Sequence, residues 1–420
     1  VDRRVVGIIP LVIDVLNVEP SFLHHWRAYG FWAPAVRDYE EAGVMAWLGT
    51  PPTRSLLDII DPYSYRARYT MPKYMVNASG DEFFVPDSSR FYFDELRGEK
   101  YLWYVPNSGH GLESPDVITG ILAFFQLVAG ARARPRFSWE WLPDDRIRLR
   151  AQDPPAEVRL WQATNSSARD FRVETAGRIW TSSRLSESSP GVYEARLGPP
   201  ARGWSAFFLE LTYAEGLLPL KFSTPVRVIP DTLPYSAPSG VVSAANYLPL
   251  TAAEAIVSAF GQQLSGTTAQ PAQLPLPENL AGVSVRVTDT NGGPRPAPLF
   301  FVSPGQVNFL IPAGAGRGLA RVEVVRDGQV VAKGQTLIEE FAPALFSANG
   351  DGRGVAAALA VTVQADGSQT VRLVFDSAPA GQRTSVPLDL RDATSQVYLS
   401  LLVSGMRNAA SAAQATIGGD

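Results

Sequence analysis

Apolar and polar positions along this chain change their period twice. Residues 5–13 are nearly all apolar with several β-branched side chains, the pattern of a strand buried on both faces of a parallel sheet. Residues 74–78, after Pro72, and residues 101–105 repeat it. Between them lie segments of helical spacing at 35–48, 53–60 and 87–96, and a longer one at 115–129 stopped by Gly130. Asp87 or Ser88 is the expected cap of the 87–96 helix, and Gly98 its stop. Strand and helix in alternation predict a doubly wound α/β domain over 1–131. Three strands make only part of such a sheet, so its leading half is expected to be absent.

The period shortens at Arg132-Ala133-Arg134-Pro135. From 132 to 234 the segments are short and rich in Trp, Phe, Val and Thr, and Asp, Pro, Gly and Ser divide them. Residues 158–161, 193–197 and 204–209 are examples. Short strands with regular turn signals predict a β-sandwich. Residues 235–420 alternate again, as at 283–287 and 320–325, with turns such as Asp327-Gly328. They predict one or two further all-β modules, with a flexible loop over 263–278. The periods thus predict α/β plus all-β: part of a doubly wound sheet, which the motifs given below mark as the C-terminal part of an α/β-hydrolase sheet, then a β-sandwich, then further β modules.

Charge sharpens the last boundary. Of 78 charged residues, only 25 lie in 231–420. Net charge is −4 and no Lys/Arg cluster reads as a nucleic-acid footprint. The absence of cysteine excludes disulfides, thiolate metal sites and a thiol nucleophile. The apolar run at 117–129 is too short to span a bilayer. Residue 1 is Val, no signal segment opens the chain, and Thr416-Ile417-Gly418-Gly419-Asp420 closes it on a turn signal. Both ends are expected to be cut.

The candidate chemistry is a pair of motifs 29 residues apart. Gly80-Asp81 follows one predicted strand, and Gly109-His110-Gly111 follows the next. An α/β-hydrolase presents its acid and its histidine in this way, with the serine earlier in the chain. His110 is expected to act as general base and acid, the bland alternative being a solvated loop residue. Its flanking glycines are expected to let the loop turn without a Cβ clash. Asp81 is expected to orient it, the alternative being an ordinary turn aspartate. Glu82 and Asp87 are rival acids, the first expected to point away and the second to cap a helix. No Gly-x-Ser-x-Gly elbow exists, and Ser21, Ser55, Ser64 and Ser79 lack its setting. His24-His25 would chelate poorly, since adjacent helical residues project about 100° apart. No metal and no cofactor are therefore expected. Asp14, Asn17 and Glu19 follow the first strand and line a substrate cleft or do local turn and cap work. The tryptophans at 139, 141, 161, 180 and 204 favour sandwich-core packing over a carbohydrate platform.

Much of residues 1–234 resembles the PhoPQ-activated pathogenicity-related protein family. The resemblance rests on Ile13-Asp14-Val15-Leu16-Asn17, on 77–87, on Tyr104-Val105-Pro106-Asn107 and on Leu160-Trp161-Gln162-Ala163-Thr164-Asn165. Ala168-Arg169-Asp170-Phe171-Arg172 and 221–228 extend it. It implies an exported protein with an α/β-hydrolase core and a β domain, secreted, periplasmic or at the cell surface. It also implies that Val1-Asp2-Arg3-Arg4 directly follows the helix carrying the nucleophile, while Asp81 and His110 match the family's acid and histidine. Residues 235–420 resemble a low-charge β domain at the C-terminus of many acidobacterial secreted proteins. The matching stretches are Val242-Ser243-Ala244-Ala245-Asn246-Tyr247, 256–261, 297–309, 342–346 and 415–419. That resemblance implies display, adhesion or assembly, through a cell-surface or protein partner.

The expected function is a piece of a serine-hydrolase-like protein acting on esters or peptides, inactive without its serine. The alternative is a non-catalytic secreted signalling or adhesion protein that keeps a hydrolase shell.

Overall fold

A computed structural model describes residues 2, 4–42, 44–215, 218–391, 394–407 and 409. Val1, Arg3 and the 415–420 motif lie outside the described residues. The molecule is mostly β, with several sheets and 17% helix, and no sheet closes into a barrel among the described residues. Two compact units divide it: Val1–Asp38 with Leu57–Tyr235, and Tyr39–Leu56 with Ser236–Asp420.

In the first unit the regular elements run α1 (Val18–Tyr29), β1 (Lys73–Ala78), β2 (Lys100–Val105) and α2 (Pro115–Ala129). β1 and β2 pair in parallel, Lys73 opposite Lys100 through Ala78 opposite Val105. α2 starts where Pro115 sets φ and the Ser114 hydroxyl accepts from the Asp116 N–H. Its buried side, Val117, Gly120, Ala123, Phe124 and Leu127, has the three-and-four spacing of an amphipathic helix. Phe124 packs on Tyr74 of β1, their centroids 5.1 Å apart.

Residues 5–13 depart from expectation. They run parallel beside β1, with Tyr74 N–H donating to Ile8 O at 3.0 Å and Val12 N–H to Val76 O at 2.8 Å. Pro10 lacks an N–H, and the ladder is reduced to isolated bridges. Val6, Leu11 and Ile13 are exposed, so this stretch is an edge and not a strand covered on both faces. The segment 87–96 is likewise not one helix. It folds as two short 3-10 turns, Ser88–Phe91 and Phe93–Glu95, and the Asp87 carboxylate makes no cap bond.

The sheet of β1 and β2 continues into the β-rich segment. After β3 (Phe137–Leu142) and β4 (Arg146–Ala151) come β5 (Glu157–Asn165), β6 (Thr181–Arg184) and β7 (Val192–Arg196). β8 (Trp204–Glu215), β9 (Leu218–Ser223) and β10 (Arg227–Ile229) follow. One sheet has the order β1-β2-β9-β8-β5-β6, with β10 on β8, and the other is β3-β4-β7. β2 joins β9 at Leu102 opposite Ser223, where the Ser223 hydroxyl also accepts the Tyr104 N–H at 3.0 Å. Alternation along β8 sends Phe207, Leu209 and Leu211 into one core and Ala206 and Phe208 into another. Trp139 and Trp141 are core-packing residues, stacked on Phe93 and set edge-on to Phe207.

The second unit carries two main sheets. Val283, Val285 and Val287 alternate inward on one, opposite Val257, Phe309 and their neighbours. The hairpin Gly318–Arg326 to Gln329–Glu339 turns at Asp327-Gly328, as its sequence predicts. The 263–278 stretch is irregular but anchored: Leu264 is buried and Ala269 bridges Val302. Tyr39–Leu56 belongs to this unit. Trp47 packs on the cluster of Val242, Tyr247 and Phe260, and the Leu48 carbonyl would lie 2.6 Å from a Cβ on Gly240.

Candidate functional site

The site grows from the carboxyl ends of β1 and β2, which finish side by side. Past β1, Gly80 passes so close to Val173 that a Cβ would meet its Cγ2 at 2.4 Å. Asp81 then closes a tight turn, its Oδ1 accepting the N–H groups of Phe83 at 2.8 Å and Phe84 at 3.3 Å. Past β2, Asn107 is left-handed (φ 56°) and fixed from both sides. Its N–H donates to the Ser79 hydroxyl, and its amide exchanges bonds with the Trp180 backbone.

These turns bring Asp81 and His110 together. Nδ1 of His110 lies 3.0 Å from Oδ2 and 3.1 Å from Oδ1 of Asp81. The Asp81 side chain is 2% exposed and the imidazole 34%. Burial lifts the Asp81 carboxyl to about 6, against the opposing pull of His110 and the Phe83 N–H. The Phe83 ring lies 4.3 Å and the Phe84 ring 5.9 Å from the imidazole, covering part of it with apolar surface. Nε2 has no hydrogen-bond partner among the described residues. An imidazole held at Nδ1 by a buried acid and open at Nε2 can take a proton from a hydroxyl and return it to a leaving group.

Glycine at 109 and 111 serves proximity, not backbone reversal, since neither residue is left-handed. A Cβ on Gly109 would meet Glu82 Oε1 at 2.6 Å, and one on Gly111 would meet Glu113 Oε1 at 2.6 Å.

The other acids go elsewhere. Asp14 is buried beneath two phenols, with Tyr92 donating to Oδ1 at 2.6 Å and Tyr104 to Oδ2 at 2.7 Å. Burial outweighs both and lifts its carboxyl to about 8. Asn17 is left-handed ahead of α1 and donates to Phe91 O at 2.9 Å, while Glu19 sits in the first turn of α1. Asp87 takes His24 Nε2 at 2.9 Å and Arg169 at 2.7 Å in a buried cluster. Burial opposes its ionisation, but Arg169 and His24 hold it well below the usual carboxylate range. His25 faces away and accepts the Ala33 N–H, and burial pushes its imidazole down to about 3. Among the described residues no group of three His, Asp or Glu could hold a metal. Ser21 donates to Leu16 O, Ser64 to Leu57 O, and Ser79 accepts from Asn107. No serine hydroxyl is bonded to His110 among the described residues.

Both carboxylate clusters fall inside one matched region. Residues 1–172 match the PhoPQ-activated pathogenicity-related protein family. A curated relative, autocrine proliferation repressor protein A of Dictyostelium discoideum, is 38% identical over 265 residues, covering 56% of this chain. The chain spans about half, 54%, of that relative's length. Solved structures with some likeness include a tetra-tandem repeat from the extending region of a large adhesion protein (11% identity, 64% of this chain, 74% of that one, TM-score 0.18). An ICAM-5 D1–D4 ectodomain fragment (12%, 64% and 75%, TM-score 0.15) is another. A BSP domain of a biofilm-associated protein (8%, 64% and 65%, TM-score 0.19) is a third. At such scores they assign no fold to the chain.

The signal for Asp81 and His110 lay in local motifs. The signal for Arg169 and for Tyr92 and Tyr104 did not, because their partners Asp87 and Asp14 are 82, 78 and 90 residues away.

Proposed function

We propose that Asp81 and His110 are the acid and base of a Ser-His-Asp triad for ester or peptide hydrolysis. The nucleophilic hydroxyl reaches Nε2 from a part of the protein outside these 420 residues. His110 removes the hydroxyl proton as oxygen attacks the acyl carbon, and Asp81 stabilises the imidazolium. The proton then passes to the leaving group as the acyl bond breaks. One observation carries this reading: an imidazole bonded through Nδ1 to a buried carboxylate and open at Nε2. The parallel β1–β2 pair with α2 is the half of an α/β-hydrolase sheet that presents this pair, in an exported protein whose β units serve display or interaction.

The test is a fluorophosphonate probe on the longer protein that includes the preceding sequence. The expected result is one labelled serine there, none in the 420-residue chain, and a loss of labelling rate of about 10⁴-fold or more in His110→Ala. Labelling that His110→Ala leaves unchanged would overturn the reading.

A second reading is a binding or signalling role on a hydrolase shell. The relative named as a proliferation repressor favours it. A replaced serine upstream, with no labelling at all, would select it.

A further inference from the structure

The geometry points to Glu82 as a positioning residue that fixes the His110 backbone, so that the imidazole stays aligned on Asp81 with Nε2 open. Glu82 stands next to Asp81 in sequence but sends its carboxylate to a different part of the histidine. Its Oε2 accepts the His110 N–H at 2.6 Å, the shortest of the bonds that hold this loop. Its Oε1 occupies the space that a Gly109 side chain would need. A Cβ at 109 would have to push this carboxylate aside, so glycine there lets Glu82 reach the backbone where it lies. A charged acceptor makes this bond stronger than a neutral one, and shorter.

The same turn thus holds His110 at two places, Asp81 on the ring and Glu82 on the main chain. The turn is itself braced by the bonds of Asp81 to the Phe83 and Phe84 N–H groups. A second carboxylate supports the loop from its far side. Glu113 accepts the Gly109 N–H at 3.1 Å and the Ser108 hydroxyl at 2.9 Å, and its own N–H returns to Ser108 at 2.8 Å. Glu113 is exposed and Glu82 half-buried, so the larger share of the restraint falls to Glu82. With its neighbours glycine, the segment has no side-chain packing of its own at 109 or 111. Freeing the main chain there would let the ring swing about its Asp81 bond.

The inference rests on reading His110 as the base, and its test is independent of activity. The chain holds three histidines, and His24 and His25 are buried in other environments. With ¹⁵N-labelled histidine in the full chain, His110→Ala assigns the third imidazole. In the unsubstituted protein the His110 Nδ1–H is expected as a solvent-protected proton resonance. Glu82→Ala should lose that resonance to solvent exchange, with the His24 and His25 signals and the thermal midpoint unchanged. Glu82→Gln should keep it, because the amide oxygen still accepts the N–H. Gly109→Ala should lose it although Glu82 is intact, because the new Cβ displaces the carboxylate. A protected His110 signal in Glu82→Ala would overturn the inference. So would loss of all three histidine signals together, which marks a general structural role. Absence of fluorophosphonate labelling in the longer protein bears on the hydrolase reading and leaves this result standing.

Discussion

Asp14 shows how far a residue's chemistry depends on what closes over it. Its place after the first extended segment is legible in sequence, and cleft lining was one expectation for it. Its burial under Tyr92 and Tyr104 is not legible, because those rings arrive from the far side of β1 and from β2. The consequence is a stability term with a definite sign. The folded carboxyl titrates at about 8 against an ordinary value of 3.8, so the folded state holds a proton the unfolded state has lost. Stability is therefore greatest below the unfolded value, falls as pH rises from about 4 to about 8, and levels off above that. Asp81, lifted to about 6, adds the same sign over a shorter window. Asp14→Asn should remove most of the slope between pH 6 and 8, where one group contributes at most about 1.4 kcal/mol per pH unit. Urea denaturation at a series of pH values measures it, and an unchanged slope would refute the assignment.

Elements were readable where local signals and packing agreed. α2 has the predicted bounds because Ser114, Pro115 and Gly130 punctuate a sequence whose periodic side meets β1. The 87–96 segment failed for a physical reason: the Asp87 carboxylate expected at the cap is drawn into the buried cluster with His24 and Arg169. No local pattern encodes that competition. Asp87→Ala should leave the fully buried Arg169 guanidinium without its counter-charge, a loss of about 3–5 kcal/mol. Equilibrium unfolding followed by Trp fluorescence would read it, and a loss below about 1 kcal/mol would contradict the account. Gly98 between the last 3-10 turn and β2 is left-handed, and a Cβ there would meet Thr70 O at 2.2 Å. Gly98→Ala should therefore destabilise by more than the roughly 1–2 kcal/mol of the left-handed backbone alone. Gly328→Ala, at φ +81° in the Asp327-Gly328 turn with open space around it, is the control, expected near that lower figure.

At the level of the whole molecule, the mostly-β character was legible from alternation, as in Val283, Val285 and Val287 facing one core. Two long-range features were not. β1 and β2 continue through β9 into the sheet of the β-rich segment, a join made by a single residue pair. Tyr39–Leu56, which takes in parts of the stretches of helical spacing at 35–48 and 53–60, belongs to the second unit. Composition and period report only near neighbours, whereas Trp47 meets partners some 200 residues further on. Trp47→Ala should lower the stability of the second unit by about 1–3 kcal/mol. Limited proteolysis of that unit should quicken accordingly, and unchanged rates would show the Trp47 contact to be idle.

That early segment also sets a timetable for the nascent chain. Leu48 is synthesised about 190 residues before Gly240. At 5–20 residues per second the interval is roughly 10–40 s. Throughout it, an aromatic, partly apolar stretch has no surface of its own to fold against. The second unit is then finished by recruiting a piece made long before the rest of it, which places its final closure late in biosynthesis.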